Sequence, residues 1–263
     1  MKFKIILKSL YKMFFFSENF VNYVRKKTIL IERNGIEYNF SAPNQLCRYR
    51  AKTFSSKEPE TLFWIDSFLE GSIFWDIGAN IGLYSIHAAK SRNCQVFAFE
   101  PSVFNLEVLS RNIFLNNLNN DITIMPFAVN NIMGKGILNM SSENWGGALS
   151  TFDKTYGENG EEMKIIYKYP IFSISLDEAV QNLKLDFPDY VKIDVDGIEL
   201  LILQGATDVL CRIKGLLIEI SENWEIRKLT CEDVLEKSGL KKMSFNSEYL
   251  KGRDGSPNQI WIR

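Results

Sequence analysis

The chain has 263 residues, 46% of them hydrophobic, and a formal net charge of −1. That length can bury roughly three quarters of the unfolded surface in one sizeable α/β domain with modest extensions. The charge balance argues against a general nucleic-acid binder, which carries a basic excess. Four scattered cysteines (Cys47, Cys94, Cys211, Cys231) and a single histidine argue against a disulfide framework or a structural zinc site, and fit a reducing cytoplasm.

Residues 1–16 interleave Lys2, Lys4, Lys8 and Lys12 with Phe3, Ile5, Ile6, Leu7, Leu10, Met13 and Phe14 to Phe16. The lysines break every apolar run before it could serve as a signal-peptide core or a membrane span. The pattern predicts a basic amphipathic helix that packs on its own domain, on a partner subunit as in a homodimer, or on an anionic membrane surface. Thr28 to Phe40 predicts a β-hairpin, with Asn34-Gly35 supplying the two positive-φ residues of a type I′ turn. Ala42 to Phe54 reads as irregular. Lys57-Glu58-Pro59-Glu60-Thr61 opens a helix with Leu62, Phe63, Ile65 and Phe68 on its buried side, stopped by Gly71. These parts form an N-terminal extension over residues 1–71, expected to cap one end of the core sheet.

From residue 72 to 263 strands and helices alternate. Ser72 to Trp75 is an apolar strand, and Ile81 to Lys90 has helical periodicity. Gln95 to Glu100 is β-prone, and a helix N-capped by Ser102 runs to about Leu115. Strand-like runs follow at Ile122 to Met125, from Gly136, and at Lys164 to Ser173, with a turn at Gly134 and a Trp145-Gly146-Gly147 loop between. Then come a helix over Leu176 to Leu183, a strand over Tyr190 to Ile193, a helix from about Ile198, a strand over Leu216 to Ile220, and a helix over Glu232 to Lys237. Terminal strands are expected near Lys242 to Phe245 and Gln259 to Ile262. Such alternation predicts a Rossmann-like, doubly wound, mostly parallel sheet whose ligands lie beyond the carboxyl ends of the strands. Asp76, Glu100, Asp194 and Glu219 all fall at or near those ends.

The first strand-to-helix turn reads Asp76-x-Gly78-x-Asn80-x-Gly82. A turn of this kind lets backbone approach a ligand closely, beside the free N–H groups of a helix N-terminus. Compared with a pyrophosphate-binding G-x-G-x-x-G turn it is one glycine short, and Asp76 would repel phosphate but attract an ammonium group. Glu100, 18 positions after Gly82, stands where a carboxylate commonly takes the ribose hydroxyls of an adenosine cofactor. The turn resembles the first motif of class I S-adenosylmethionine-dependent methyltransferases.

A second constellation, Asp189-Tyr-Val-Lys-Ile-Asp194-Val-Asp196-Gly-Ile-Glu199, puts three acids within six positions after an apolar strand. With Leu203-Gln-Gly205-Ala206, the Asp76 turn, Glu100-Pro101, Gly146-Gly147 and Ser175-Leu176-Asp177, it closely resembles the FkbM family of methyltransferases over about Ser72 to Glu219. The resemblance implies a seven-stranded methyltransferase sheet with a reversed last strand and S-adenosylmethionine as cofactor. It implies that Asp76, Gly78, Asn80 and Gly82 line the methionine part, that Glu100 holds the ribose, and that Asp194 sits beside the transferable methyl, with Asp196 and Glu199 shaping the same corner. It further implies O-methylation of a small molecule, such as a sugar or a glycan or polysaccharide precursor.

Methyl transfer to a hydroxyl needs positioning and a destination for the proton. Asp194 is the first candidate for that group and Glu219, ending Leu216-Leu217-Ile218, the second. His87, in the middle of the first core helix, reads more readily as a packing residue. Asp194, Asp196 and Glu219 offer oxygens that suit Mg²⁺ or Ca²⁺, although nothing in their spacing requires a metal. Trp145 could stack on a sugar face or pack at a strand end. Met125 and Phe127 read as core residues. The alternatives are an NAD-dependent sugar oxidoreductase or epimerase, disfavoured by Asp76 and the missing third glycine, and a non-catalytic nucleotide-binding module.

Overall fold

The structure, a computed structural model, describes residues 4, 6, 9, 10, 18–244 and 258–263. The predicted amphipathic helix of residues 1–16 therefore lies almost wholly outside the described residues. A short helix α1 (Glu18–Arg25) leads into the hairpin β1 (Thr28–Arg33) and β2 (Ile36–Ser41). Arg33 pairs with Ile36 across the expected two-residue turn, with Asn34 and Gly35 at φ 53° and 76°. Residues 42–54 are not irregular: they contain helix α2 (Gln45–Lys52), whose N-terminus is closed by the Asn44 side chain accepting from Cys47 N. Only Cys47 and Ala51 of this helix are buried, too sparse an apolar face to register as periodicity. Helix α3 (Pro59–Asp66) buries Leu62, Trp64 and Ile65 and turns Phe63 outward.

The main sheet comprises β3 (Ile73–Ile77), β4 (Gln95–Phe99), β5 (Ile122–Met125), β10 (Tyr190–Ile193), β11 (Gly215–Glu219), β12 (Lys241–Lys242) and β13 (Asn258–Ile262). Its order is β12-β13-β11-β10-β3-β4-β5. Pairing is parallel from β11 to β5, and β13 runs antiparallel to both neighbours. The central strands are buried on both faces, which explains their near-continuous apolar sequences. Alternate residues serve opposite layers. Trp75, Ile77, Val191 and Ile193 join one core cluster, while Phe74, Val96, Ala98 and Leu217 join another. The second also contains Tyr38, Phe40, Phe54 and Phe68, so this part of the N-terminal extension packs over that face of the sheet.

Helices α4 (Leu83–Arg92) and α5 (Val103–Leu115) follow β3 and β4, and α6 (Leu176–Leu183) precedes β10. A capping box of Ser175 and Glu178 starts α6. Helices α7 (Glu199–Gln204) and α8 (Thr207–Leu210) connect β10 to β11. Helix α9 (Glu225–Lys237) begins well before the expected Glu232. The predicted strand at Lys242 to Phe245 shrinks to Lys241–Lys242, and Phe245 lies outside the described residues.

The strand-like runs after β5 do not extend the main sheet. They form a second one, β6 (Ala128–Val129), β7 (Gly134–Met140), β8 (Ser150–Phe152) and β9 (Tyr167–Ile174), in the order β6-β9-β7-β8. Antiparallel pairing of β7 with β9, from Gly134↔Ser173 to Met140↔Tyr167, closes it. This small sheet stands over the carboxyl ends of the parallel strands.

Candidate active site

Three contiguous chambers open where β3, β4 and β10 end, and Gly78 lines all of them. The Asp76–Gly82 turn is forced into position by contacts that tolerate no side chain at Gly78. Its φ is +82°, and a Cβ there would come within 1.9 Å of the Asp194 carbonyl oxygen. The Gly78 and Ala79 N–H groups both donate to Phe99 O, which fastens the turn to the end of β4.

The first chamber, about 340 Å³, is apolar and lined by Phe99, Phe127, Val129, Phe152, Val195 and Ile198. Phe127, read from sequence as a core residue, thus faces the crevice, whereas Met125 is buried in the core. The second, about 790 Å³, is polar and contains Glu100, Ser150, Glu158, Asp194, Asp196 and Glu219. The third, about 440 Å³, lies between the turn, the first residues of α4 and the N-terminal extension, with Arg50, Lys57, Glu58, Tyr84 and Asp194 around it.

Glu100 is buried and accepts from Asn80 N (2.8 Å), Ser102 N (2.8 Å) and Asn105 Nδ2 (3.3 Å). Burial pushes its carboxyl up to about 7, against the pull of those donors. Asn80 reaches the opposite way, donating through Nδ2 to Gly147 O at 2.7 Å.

Asp194 and Glu219 end neighbouring strands and hydrogen-bond each other. Beneath them Lys192, 1% exposed, donates to Asp194 Oδ2 at 2.5 Å and lies 5.0 Å from the Tyr84 ring centroid. Burial alone would raise the Asp194 carboxyl. The Lys192 ammonium and the bonds from Glu219 and Lys192 outweigh it and hold Asp194 well below the usual carboxylate range. Burial and the adjacent Asp194 charge push Glu219 up to about 10. Two carboxyls that share a site share one proton. The Lys192 ammonium bonded to Asp194 draws the pair's negative charge towards that carboxyl and leaves the proton on the Glu219 side. Asp196, raised by burial to about 6, accepts from Ser150 N at 3.0 Å and faces the same chamber.

Four residues singled out from sequence lie outside the lining of these chambers. Asp76 is one layer below, 1% exposed; its Oδ2 accepts from Ser85 Oγ at 2.6 Å, while Oδ1 has no hydrogen-bond partner. Gly82 caps α4 at φ +81°, and a Cβ there would strike Leu109 Cδ1 at 2.4 Å, so it serves helix packing. Glu199 is buried against Arg227 (2.5 Å) and accepts from Gly197 N, supporting the turn after β10 instead of facing the crevice. The Trp145 indole donates to Glu107 Oε2 at 2.9 Å and packs beside Cys47, Ile81 and Val108, which is inconsistent with an open stacking face. Nor is its Gly146-Gly147 pair a loose loop. Its carbonyls accept from Arg50, Asn80 and Asn105.

His87 is fully buried between Tyr38 OH on Nδ1 (2.9 Å) and Asp66 on Nε2 (2.8 Å), with Arg33 adjacent, on the face covered by the hairpin. Burial lowers its pKa, and it lines none of the chambers. Among the described residues no three His, Cys, Asp or Glu side chains are grouped to hold a metal ion. The residues that sequence reading missed are Arg50, Lys57, Glu58, Tyr84 and Lys192. A lysine inside the apolar strand Tyr190-Val-Lys-Ile193 was the available signal, since a buried lysine needs a carboxylate partner. Arg50 lay in a helix that was not anticipated.

A parallel sheet in this strand order, with a reversed β13 and an acidic glycine turn at its switch point, defines a Rossmann-like, S-adenosylmethionine-dependent methyltransferase. The chain belongs to the FkbM methyltransferase family, whose domain model matches residues 76–245. It is similar at 24% identity over 232 residues to the hexuronic acid methyltransferase AglP of Haloferax volcanii, covering 87% of this chain and 90% of that protein. It is also similar at 25% identity over 197 residues to the methyltransferase sdnD of Sordaria araneosa, covering 63% and 67%. Among solved structures, TYW2 of M. jannaschii in complex with AdoMet aligns at 15% identity and a TM-score of 0.44, covering 90% of this chain and 86% of that one.

The residues fit that cofactor. The apolar chamber suits an adenine ring, Glu100 lines the adjoining polar chamber, and the Gly78 cradle would be filled by any Cβ. No helix among the described residues is long and apolar enough to cross a membrane.

Proposed function

We propose that the chain is an O-methyltransferase acting on a hydroxyl of a sugar or of a glycan or polysaccharide precursor. The observation that carries the reading is the Asp194–Glu219 pair over Lys192, opening into a polar chamber of about 790 Å³ next to the Gly78 turn. Similarity to a protein named for hexuronic acid methylation supports a sugar acceptor. When bound, S-adenosylmethionine supplies an electrophilic methyl carbon. In this reading Glu100 takes the ribose hydroxyls, while Gly78 and Asn80 admit the chain that follows.

Asp194 then accepts the hydrogen bond of the acceptor hydroxyl and finally its proton. Lys192 keeps this carboxylate ionised, and its low basicity is tolerable because the hydroxyl proton becomes strongly acidic only as the new C–O bond forms. Glu219, protonated, stays a donor to Asp194 and fixes the oxygen that faces the acceptor. Ser150, Glu158 and Asp196 offer polar contacts to the remaining hydroxyls of a sugar. A proton on Glu219 reduces repulsion between the crevice acids. The lysine-rich residues 1–16 are proposed to contact an anionic membrane surface from the cytoplasm or to pair two copies, which vesicle sedimentation and light scattering would separate.

The test is turnover of S-adenosylmethionine with a panel of free and nucleotide-linked sugars, uronic acids included, followed by mass spectrometry of the acceptor. A methyl ether on a sugar, lost in Asp194→Asn, is the expected result. Methylation confined to non-sugar acceptors, or binding of NAD in preference to S-adenosylhomocysteine, overturns the reading.

A further inference from the structure

The chamber between the glycine turn and the N-terminal extension has two cations on its wall. Arg50 from α2 and Lys57 from the segment before α3 line it together with Gly78, Ala79, Asn80 and the first residues of α4. Lys57 is paired with Glu58 at 2.9 Å. Arg50 is held differently. Its Nε donates to Gly146 O at 2.7 Å, and among the described residues no carboxylate pairs with it.

The anchor is itself fastened. Gly146 N donates to Asn105 Oδ1 at 3.0 Å, and Gly146 sits at φ +78° with room for a Cβ only 3.2 Å from Cys47 Sγ. The guanidinium is thus oriented by its inner nitrogen, and its two outer nitrogens are left for a ligand. That is the arrangement that suits a planar, bidentate anion. The charge it would meet is fixed by continuity. Because Gly78 lines all three chambers, a ligand with an aromatic end in the apolar chamber and its sugar at Glu100 extends its tail across Gly78 towards Arg50.

We propose that Arg50, assisted by Lys57, binds the α-carboxylate of the cofactor's methionine moiety, so that the N-terminal extension completes the cofactor site. The inference rests on the methyltransferase reading, in which S-adenosylmethionine is the donor. It gives the extension a function: the helix that carries Arg50 closes the cofactor crevice, and the Gly146-Gly147 loop is its latch. A carboxylate could also be brought by an acidic sugar in the neighbouring chamber, which Arg50 and Lys57 line as well. Both cations also stand in the chamber bounded by the glycine turn and the start of α4, which is where a tail that crosses Gly78 arrives.

Calorimetric titration separates the sources, using S-adenosylhomocysteine and its decarboxylated analogue, which keeps the nucleoside and the amine. Arg50→Gln should weaken S-adenosylhomocysteine about 10- to 100-fold, the range for a charge-assisted pair, and leave the decarboxylated analogue within about twofold of wild type. Lys57→Gln, which does not touch the Gly146 latch, should weaken only the carboxylate-bearing ligand, by a smaller factor. Equal weakening of both ligands in both variants overturns the assignment. So does unchanged S-adenosylhomocysteine affinity with a raised KM for an acidic acceptor, which would give the cations to the acceptor. Failure of the wild type to bind S-adenosylhomocysteine at all would instead sink the methyltransferase reading, and failure to methylate sugars would leave this assignment standing.

Discussion

Replacing Lys192 by methionine keeps the aliphatic stem and removes the cation buried under the Asp194–Glu219 pair. Lys192 is 1% exposed and meets Asp194 at 2.5 Å, with Glu58 and Asp76 adding to the field that keeps it charged. Removing one partner of a buried ion pair costs about 3–5 kcal/mol. The Asp194 side chain retains 29% exposure, which places the expected loss near the lower end. For a chain of this size, about 3 kcal/mol lowers Tm by roughly 6–12 °C. The loss should also depend on pH. In the wild type the Asp194 pKa lies below its unfolded value, so its stabilisation is present above pH ~4 and is lost as pH falls through the folded value. Without Lys192, burial dominates and the first ionisation of the pair moves above the unfolded value. The variant then takes up an extra proton on folding, and its stability declines as pH rises. Urea unfolding followed by tryptophan fluorescence should show a gap from wild type that widens between about pH 5 and pH 8, by at most about 1.4 kcal/mol per pH unit. A gap below about 1 kcal/mol, or one flat across that range, would refute the claim that Lys192 is the counter-ion of Asp194.

Glu219→Gln tests the partner. The wild-type carboxyl, raised to about 10, binds a proton on folding between its unfolded value and 10, so wild-type stability falls as pH rises through that window. The amide mimics the protonated form, and thermal melts should show its advantage growing with pH; a constant difference counts against the shared proton. Glu100 is ionised only above about 7, so S-adenosylhomocysteine affinity should fall as pH drops below 7. Glu100→Gln should bind about 10- to 100-fold more weakly with no such pH dependence, and a pH-dependent response in that variant would contradict the assignment. Gly78→Ala places a Cβ 1.9 Å from Asp194 O at φ +82°. It should cost at least about 1–2 kcal/mol in backbone strain and abolish cofactor binding by calorimetry, and full retention of binding would displace the turn from the site. His87→Ala leaves Tyr38 and Asp66 short of a partner and should cost about 1–3 kcal/mol in urea while kcat per folded molecule is unchanged. A large fall in kcat would return His87 to the chemistry.

The strands of the parallel sheet, the Asn34-Gly35 hairpin and the acidic turn at Asp76 were legible because each depends on neighbours in sequence. Apolar runs flanked by turn residues, a positive-φ dipeptide and an acid beside glycines are local patterns. Glu100, Asp194 and Glu219 could be located for the same reason: strand ends in a doubly wound sheet converge on one crevice, so a carboxylate at each end is already placed. Elements with weak local signatures were missed or shortened. Helix α2 buries only two residues, and the first turns of α9 expose Ile226 and Leu229. The β7–β9 sheet was read as part of the main alternation, since antiparallel pairing across more than 25 residues leaves no mark on either strand.

What the sequence determined by itself was therefore the class of fold and the acids of the crevice, which follow from periodicity and short motifs, together with a resemblance that pointed to the family. Only the tertiary structure decided which of those acids face the crevice and in which direction each one's ionisation is pushed. Asp76 and Glu199 have the same kind of local signal as Glu100 and Asp194, yet packing places them under the surface against Ser85 and Arg227. The proton shared by Asp194 and Glu219 depends on Lys192 lying below both, and Arg50 reaches the crevice only because residues 44–50 dock against the Gly146 loop nearly a hundred positions later. Charge state and ligand contact are set by burial and by distances between remote segments, and these are fixed by how the layers pack rather than by the order of residues along one strand or helix.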